Sequence, residues 1–213
     1  MTGHDAERAR PLGGLADKRR AILDGALTVF ARDGYTRASI DAISAEAGVS
    51  TRTIYNHFED KAQLFQSVIQ ESATRVAEAQ IAIIDSYLRK VTDLEADLIE
   101  FGLALATPMT DYADHFALVR QIDADAGHIP RAALDAWQEA GPRRVLHELA
   151  CRMRQLSEQG LLRSDDPDRA SVHFMLLVQG AIPFHHGIGA TRESEITEIV
   201  TSGVRAFLHG YLP

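Results

Sequence analysis

The stretch GYTRASIDAISAEAGVSTRTIYNHFEDK, Gly34 to Lys61, decides the fold. Ser39 precedes an apolar series, Ile40, Ile43 and Ala47, at spacings of three and four residues, and Asp41 places a carboxylate where a helix N-terminus favours one. The spacing predicts a one-faced helix of about two and a half turns. Gly48 suits the positive φ that ends a helix, Val49 supplies one apolar anchor, and Ser50 offers a fresh N-cap. A second helix therefore starts about three residues after the first stops, and so short a turn makes the pair cross steeply.

In that second helix Ile54 and Phe58 stand four residues apart and point inward. Thr51, Arg52, Thr53, Tyr55, Asn56 and His57 occupy the other faces, and all six donate or accept hydrogen bonds. Such side chains suit a duplex: Thr and Asn bond base edges or phosphates, Arg pairs two-pronged with guanine, and Tyr reaches a phosphate oxygen. The amides after Ser50 favour a phosphate as well. Taken on pattern alone, the segment also fits two short helices packed by Ile and Phe in a bundle, with the polar residues merely facing water.

The residues around this unit resemble the N-terminal domain of the TetR/AcrR family of bacterial transcriptional regulators. The match runs from about Asp17 to Ile69 through Phe30-Ala31-Arg32-Asp33-Gly34-Tyr35, Thr36 to Ile43, Ala47-Gly48-Val49-Ser50, Thr53-Ile54-Tyr55-Asn56-His57-Phe58 and Lys61. In that family Tyr-x-His-Phe closes the recognition helix, and a lysine opens the fourth helix near the DNA backbone. The resemblance implies double-stranded operator DNA as partner. Arg52, Thr53, Tyr55, Asn56 and His57 are then expected near the DNA, with Arg37, Ser50 and Thr51 among its contacts and Thr36, Ser39 and Lys61 on phosphates.

Composition sets limits on this reading. The chain has 213 residues, enough for one large or two small domains, and a formal charge of −8. Nine basic and nine acidic side chains fall at or before Lys61, so the surplus negative charge belongs to the remainder. Long-range attraction to DNA is accordingly weak, and local contacts must supply affinity. No run approaches the roughly 18 apolar residues of a membrane span, and MTGHDAERARPLGG lacks an apolar export signal, so cytoplasmic residence without a membrane partner is the default expectation. The single cysteine, Cys151, excludes an internal disulfide and a Cys-rich zinc site, and reads as a small buried hydrophobe.

Helical signals continue to the C-terminus, and no alternating strand pattern appears. The expected fold is all-α: a flexible arm over 1–16, a three-helix helix-turn-helix domain over 17–62, and a helical ligand-binding and dimerisation domain over 63–213. Ile22, Leu23, Ala26, Leu27 and Phe30 form the stripe of a first helix stopped by Gly34. Asp60 and Gln63 cap a fourth helix that continues to about Ala82. Further helices are expected over 95–107, 111–124, 131–140, 142–158, 166–182 and 194–212. Basic residues Arg8, Arg10, Lys18, Arg19 and Arg20 near the start are either phosphate contacts or solvated charges.

From Asp111 to Arg120, and through GHIP, AWQEAGP, SEQGLLRSDDPDRA and LVQGAI, the chain resembles the AefR-type C-terminal domain of a subset of these regulators, departing at Asp123-Ala124-Asp125-Ala126 from its usual AEA segment. The family dimerises through a four-helix interface built from the last two helices of each chain. Carried over, that places Phe174, Leu177, Val178, Ile196, Ile199, Val200, Gly203, Val204 and Phe207 at a homodimer interface; from the sequence alone, both helices also read simply as core. An effector pocket needs apolar walls with a few polar groups. Phe101, Leu105, Met109, Tyr112, Phe116, Trp137, Met175 and Phe184 are candidate walls, and His147, Gln179 and His185 candidate polar contacts, although such residues more often form plain core.

No cofactor is expected. GIGA at 187–190 is too short for a dinucleotide fingerprint, and HExxH, CxxC and nucleophile-elbow patterns are absent, which argues against an enzyme. The reading is a repressor released from a palindromic operator by a small apolar or aromatic molecule. Two alternatives stay open at this point. One is a metal-responsive regulator using His115, His128, His173, His185 and His186, although adjacent histidines on a helix diverge by about 100°. The other is a ligand- or partner-binding dimer that no longer binds DNA.

Overall fold

The computed structural model describes residues 14–106, 111–180 and 193–212. Every regular element among them is an α-helix: α1 (Leu15–Arg37), α2 (Ile40–Glu46), α3 (Thr51–Tyr55), α4 (Lys61–Leu88), α5 (Leu94–Ala106), α6 (Ala113–Asp125), α7 (Arg131–Ala140), α8 (Pro142–Glu158), α9 (Pro167–Val178) and α10 (Glu193–Tyr211). Among the described residues, no helix is long and apolar enough to cross a membrane.

Local chemistry sets most of the ends. Ser39 Oγ accepts the Ala42 N–H at 3.1 Å, and Ser50 Oγ accepts the Thr53 N–H at 3.1 Å, so both helices of the crossing pair carry side-chain caps. Gly48 takes the left-handed φ of 64° between them. Asp60 Oδ1 accepts the Gln63 N–H at 2.8 Å while Gln63 Oε1 accepts the Glu59 N–H at 2.7 Å, a reciprocal cap on α4.

Three ends differ from the sequence pattern. Gly34, at φ 76°, kinks α1 instead of stopping it, and one more turn runs on to Arg37. Helix α4 continues past Ala82 because Ile84 and Leu88 carry its buried stripe onward. Helix α9 ends at Val178, where the Gln179 and Gly180 N–H groups both turn back to the Met175 carbonyl at 2.8 and 3.2 Å. The expected continuation to Ile182 lies outside the described residues.

Two apolar cores are joined by α4. In the first, Ile22, Ala26, Phe30, Ile43, Ile54, Phe58 and Phe65 pack together, with Tyr35 and Phe30 each set against the Phe65 ring at 4.8 and 4.9 Å. Leu118 and Ile122 of α6, and Ile129 and Ala133 beside and on α7, complete it. The second half of the chain therefore supplies part of the packing that holds the crossing pair.

The second core gathers α5, α8, α9, α10 and the far half of α4 around Phe101, Phe174 and Phe207. Phe101 stacks on Phe174 at 5.4 Å, and Phe174 meets Phe207 edge-on at 5.3 Å. Each such buried ring contributes roughly 2–3 kcal/mol.

Most residues expected at the interface pack inside this core, while Leu177 stays 39% exposed. Phe174, Val178, Val200, Val204 and Phe207 are buried inside a single chain, and Ile196 packs against the same cluster with Ile199 half-buried on the same helix. A Cβ on Gly203 would stand 2.2 Å from the Leu177 carbonyl oxygen, so its close approach joins α9 to α10 of one chain. A helix apolar on nearly all sides shows in sequence that it is covered, not by what. The exposed large apolar side chains of α9 are Val172, Leu176 and Leu177, beside the polar Asp168, Arg169 and His173, and Leu176 is 63% exposed.

Candidate functional site

Helix α3 is anchored from beneath by Ile54 and Phe58, both buried. That anchoring turns Arg52, Tyr55 and Asn56 to solvent, with Thr51, Thr53 and His57 half-buried at the margins. Tyr55 is 55% exposed, unusual for a large ring with no apolar partner to hide against. Among the described residues Arg52 has no ion-pair partner, leaving its guanidinium available. Thr36, Arg37 and Ser39 are exposed on the adjoining end of α1 and the start of α2. Ser50, Thr51, Arg52, Thr53, Tyr55, Asn56 and His57 are thus brought together around one short helix.

Three of these groups are partly committed elsewhere. The Ser39 and Ser50 hydroxyls cap helices, and the Thr53 hydroxyl lies 2.8 Å from Ser50 Oγ. Lys61 departs most from expectation. Its ammonium donates to the carbonyls of Tyr35, Ala38 and Thr36 at 2.9, 3.1 and 3.4 Å. It fastens the end of α1 instead of reaching outward to a phosphate. Arg19 sits 5.6 Å from the centre of the Phe58 ring and 3.7 Å from Glu71, while Lys18 and Arg20 are exposed.

Helix α6 lies along α1. Near its start Asp114 Oδ2 accepts from the Thr28 hydroxyl at 3.3 Å, and at its end Asp125 Oδ2 lies 3.5 Å from the Thr36 amide nitrogen. Gly34 makes the second approach possible: a Cβ there would meet Asp125 Oδ2 at 2.8 Å and Gln121 Oε1 at 2.9 Å.

The opposite side of α6 walls a cavity of about 270 Å³. Ala73, Val76, Ala77 and Gln80 of α4 face His115, Phe116 and Val119 of α6, with Trp137, Gly141, Pro142, Val145, Leu146 and Met175 closing it from α7, α8 and α9. His115 is buried, and its Nδ1 lies 2.8 Å from Ser72 Oγ. Burial, with the charge of Arg75 nearby, pushes the imidazole down to about 4, which keeps it neutral at neutral pH. A second, polar cavity lies on the other side of that pair, lined by Leu27, Arg75, Asp111, Tyr112 and Asp114 among others.

Of the wall residues expected from sequence, Phe116, Trp137 and Met175 line the apolar cavity and Tyr112 lines the polar one. Phe101 and Leu105 are instead fully enclosed in the second core. His147 is exposed on α8 beside Cys151, which is half-buried and not enclosed as expected: its Sγ lies 3.9 Å from His147 Nε2. Gln179 donates to the Leu105 carbonyl at 3.1 Å. Met109, Phe184 and His185 lie outside the described residues, as do His186 and the 187–190 segment. Sequence reasoning missed the α4 wall, although Ala73, Val76, Ala77 and Gln80 extend the stripe of Leu64, Phe65, Val68 and Ile69 at helical spacing.

The histidines are dispersed. His173 Nδ1 pairs with the Tyr211 hydroxyl at 2.7 Å and His115 with Ser72. Among the described residues no group of three or more His, Cys, Asp or Glu side chains is placed to hold a metal ion.

Comparison with known proteins agrees with this geometry. Residues 22–68 match the model of the bacterial regulatory proteins of the tetR family, and residues 96–213, more than half the chain, match the AefR-like transcriptional repressor C-terminal domain. An HTH-type transcriptional repressor of Mycobacterium tuberculosis is 41% identical over 63 residues, which cover 30% of this chain and 34% of that protein. The chain thus matches only about a third of the length of such relatives. The repressor AcnR of Corynebacterium efficiens is 26% identical over 192 residues, covering 89% of this chain and 93% of that one. A TetR-family regulator from Mesorhizobium loti superposes with a TM-score of 0.81 at 28% identity, over 94% of this chain and 100% of the other. The Flavonoid-responsive Regulator FrrA gives 0.64 at 27% identity, over 93% and 98%. These relatives are transcriptional regulators and not enzymes. The chain belongs to the TetR family of bacterial regulatory proteins, and within it to the members with an AefR-like C-terminal domain.

Proposed function

We propose that the protein is a homodimeric repressor that reads a palindromic operator with α3 and the adjoining ends of α1 and α2, and releases it when a small apolar or aromatic molecule fills the cavity beside α6. In this reading residues 1–16 are an arm, 17–62 the reader, and 63–213 the ligand-binding and dimerising part. The observation that carries it is the position of α6, which lines the cavity with His115, Phe116 and Val119 and touches α1 through Asp114 and Asp125. A ligand needs only to prefer one placement of that helix to shift the population, and a preference of a few kcal/mol suffices. The flavonoid response named for FrrA agrees with an aromatic effector.

Dimerisation is assigned to the exposed apolar strip Val172, Leu176 and Leu177 on α9. A two-fold molecule presents two copies of α3 to half-sites about 34 Å apart or a multiple of that. Gel shift of the protein on the DNA upstream of its own coding sequence, at two salt concentrations, tests the reading. A specific complex is expected at both; none at either would sink it.

A further inference from the structure

The apolar cavity is notable for what its wall omits. Among the described residues lining it there is no Lys, Arg, Asp or Glu. Its polar side chains are Gln80, His115 and Trp137, all uncharged at neutral pH, since burial holds the His115 imidazole near 4. Charge is instead found across the Ser72–His115 pair, in the separate cavity with Arg75, Asp111 and Asp114. An ion entering the apolar cavity would lose its water and gain no countercharge.

Two further features narrow the class. His115 stands in the cavity wall with Nδ1 taken by Ser72, which leaves Nε2 as the ring atom that can meet one polar atom of a guest. Trp137 Nε1 is buried without a partner, while its ring and that of Phe116 are flat apolar surfaces in the same wall.

We propose that this cavity takes an uncharged aromatic molecule with a single hydroxyl or carbonyl group, whose polar atom pairs with the His115 imidazole while its ring packs against Phe116 and Trp137. The inference rests on the reading of this cavity as the effector site. It adds that the guest is neutral and that His115 is the group that orients it.

Trp137 is the protein's one tryptophan and also borders a second pocket with Asp123, Arg131, Asp135 and Arg143, so its emission reports occupancy of this cavity when the response is lost or altered on substitution at His115 or Gln80. The full chain is titrated at neutral pH with four probes of like shape: 4-butylphenol, butylbenzene, 4-butylbenzoate and 4-butylbenzylammonium. Fluorescence and calorimetry are read together. The phenol is expected to shift Trp137 emission and to bind at least about tenfold more tightly than either ion, and about tenfold more tightly than butylbenzene. His115→Phe is expected to erase the advantage of the phenol over butylbenzene while butylbenzene still binds. Gln80→Lys, which puts one cation in the wall, is expected to raise 4-butylbenzoate binding about tenfold.

Binding of an ion as tight as that of the phenol, with a Trp137 response, would overturn neutrality and leave the cavity reading standing. A phenol advantage that survives His115→Phe, or no gain for the benzoate in Gln80→Lys, would also overturn the inference. No Trp137 or calorimetric response to any probe would remove the cavity reading itself.

Discussion

Lys61 and Tyr35 meet twice: the lysine ammonium donates to the Tyr35 carbonyl at 2.9 Å and lies 4.8 Å from the centre of the tyrosine ring. Together with the bonds to Ala38 and Thr36, this puts a cation where the last carbonyls of α1 concentrate negative potential. Lys61→Met, which keeps the stem and removes the donors, is expected to destabilise the protein by about 1–3 kcal/mol. Urea denaturation measures this. An unchanged midpoint would return Lys61 to the role of a surface charge.

Arg52 offers the opposite test, being exposed with no ion pair among the described residues. Arg52→Ala is expected to leave stability within about 0.5 kcal/mol of the parent and to weaken operator binding at least about tenfold. Gel shift and thermal denaturation of the same sample separate the two effects. Full binding would strike Arg52 from the contact set.

His115 sets a pH dependence whose sign follows from its direction of shift. The folded imidazole, near 4, lies below its ordinary 6.5 because burial and Arg75 disfavour the cation. The unfolded chain therefore binds this proton more readily. Stability from this group is complete above about 6.5 and is lost as pH falls toward 4, by up to about 3 kcal/mol. Carboxylates titrate in part of the same window, so the informative quantity is the difference from His115→Gln. That variant should show a shallower loss between about pH 6.5 and 4; parallel curves would contradict a neutral buried imidazole.

Leu176 is the most exposed side chain of the α9 strip. If the proposed dimer forms through this strip, Leu176→Asp is expected to convert it to monomer in light scattering while leaving helix content unchanged, because the side chain is mostly exposed and outside the chain's own core cluster. A dimer of undiminished strength would move the interface to another surface.

How far the sequence could be read depended on range. Caps were legible because Ser39, Ser50 and Asp60 act on amides three residues away, and each does so in the structure. The reading face was legible for the same reason: Ile54 and Phe58 fix which side of α3 is outward. Partner choice over long range was not. Phe174, Val178, Val200 and Phe207 show apolar stripes whether they meet a neighbouring helix or a second chain, and the structure places them against their own neighbours. The cavity was half legible: its aromatic members stood out, while Ala73 and Ala77 contribute by being small, which no pattern of large residues reports.

Gly34 is a point of close approach between α1 and α6, with Asp125 and Gln121 filling the space a side chain would need. Its place is neither on the outward face of α3 nor in the wall of the cavity. A replacement there leaves the α3 face and the cavity wall chemically intact while displacing the Asp125 and Gln121 side chains that reach from α6 to α1, at a backbone φ of 76° that other residues resist. The genetic consequence is a class of deaf alleles. Under the proposed function, such a protein would still hold an operator and still take up an effector, yet the affinity for one would no longer depend on the presence of the other.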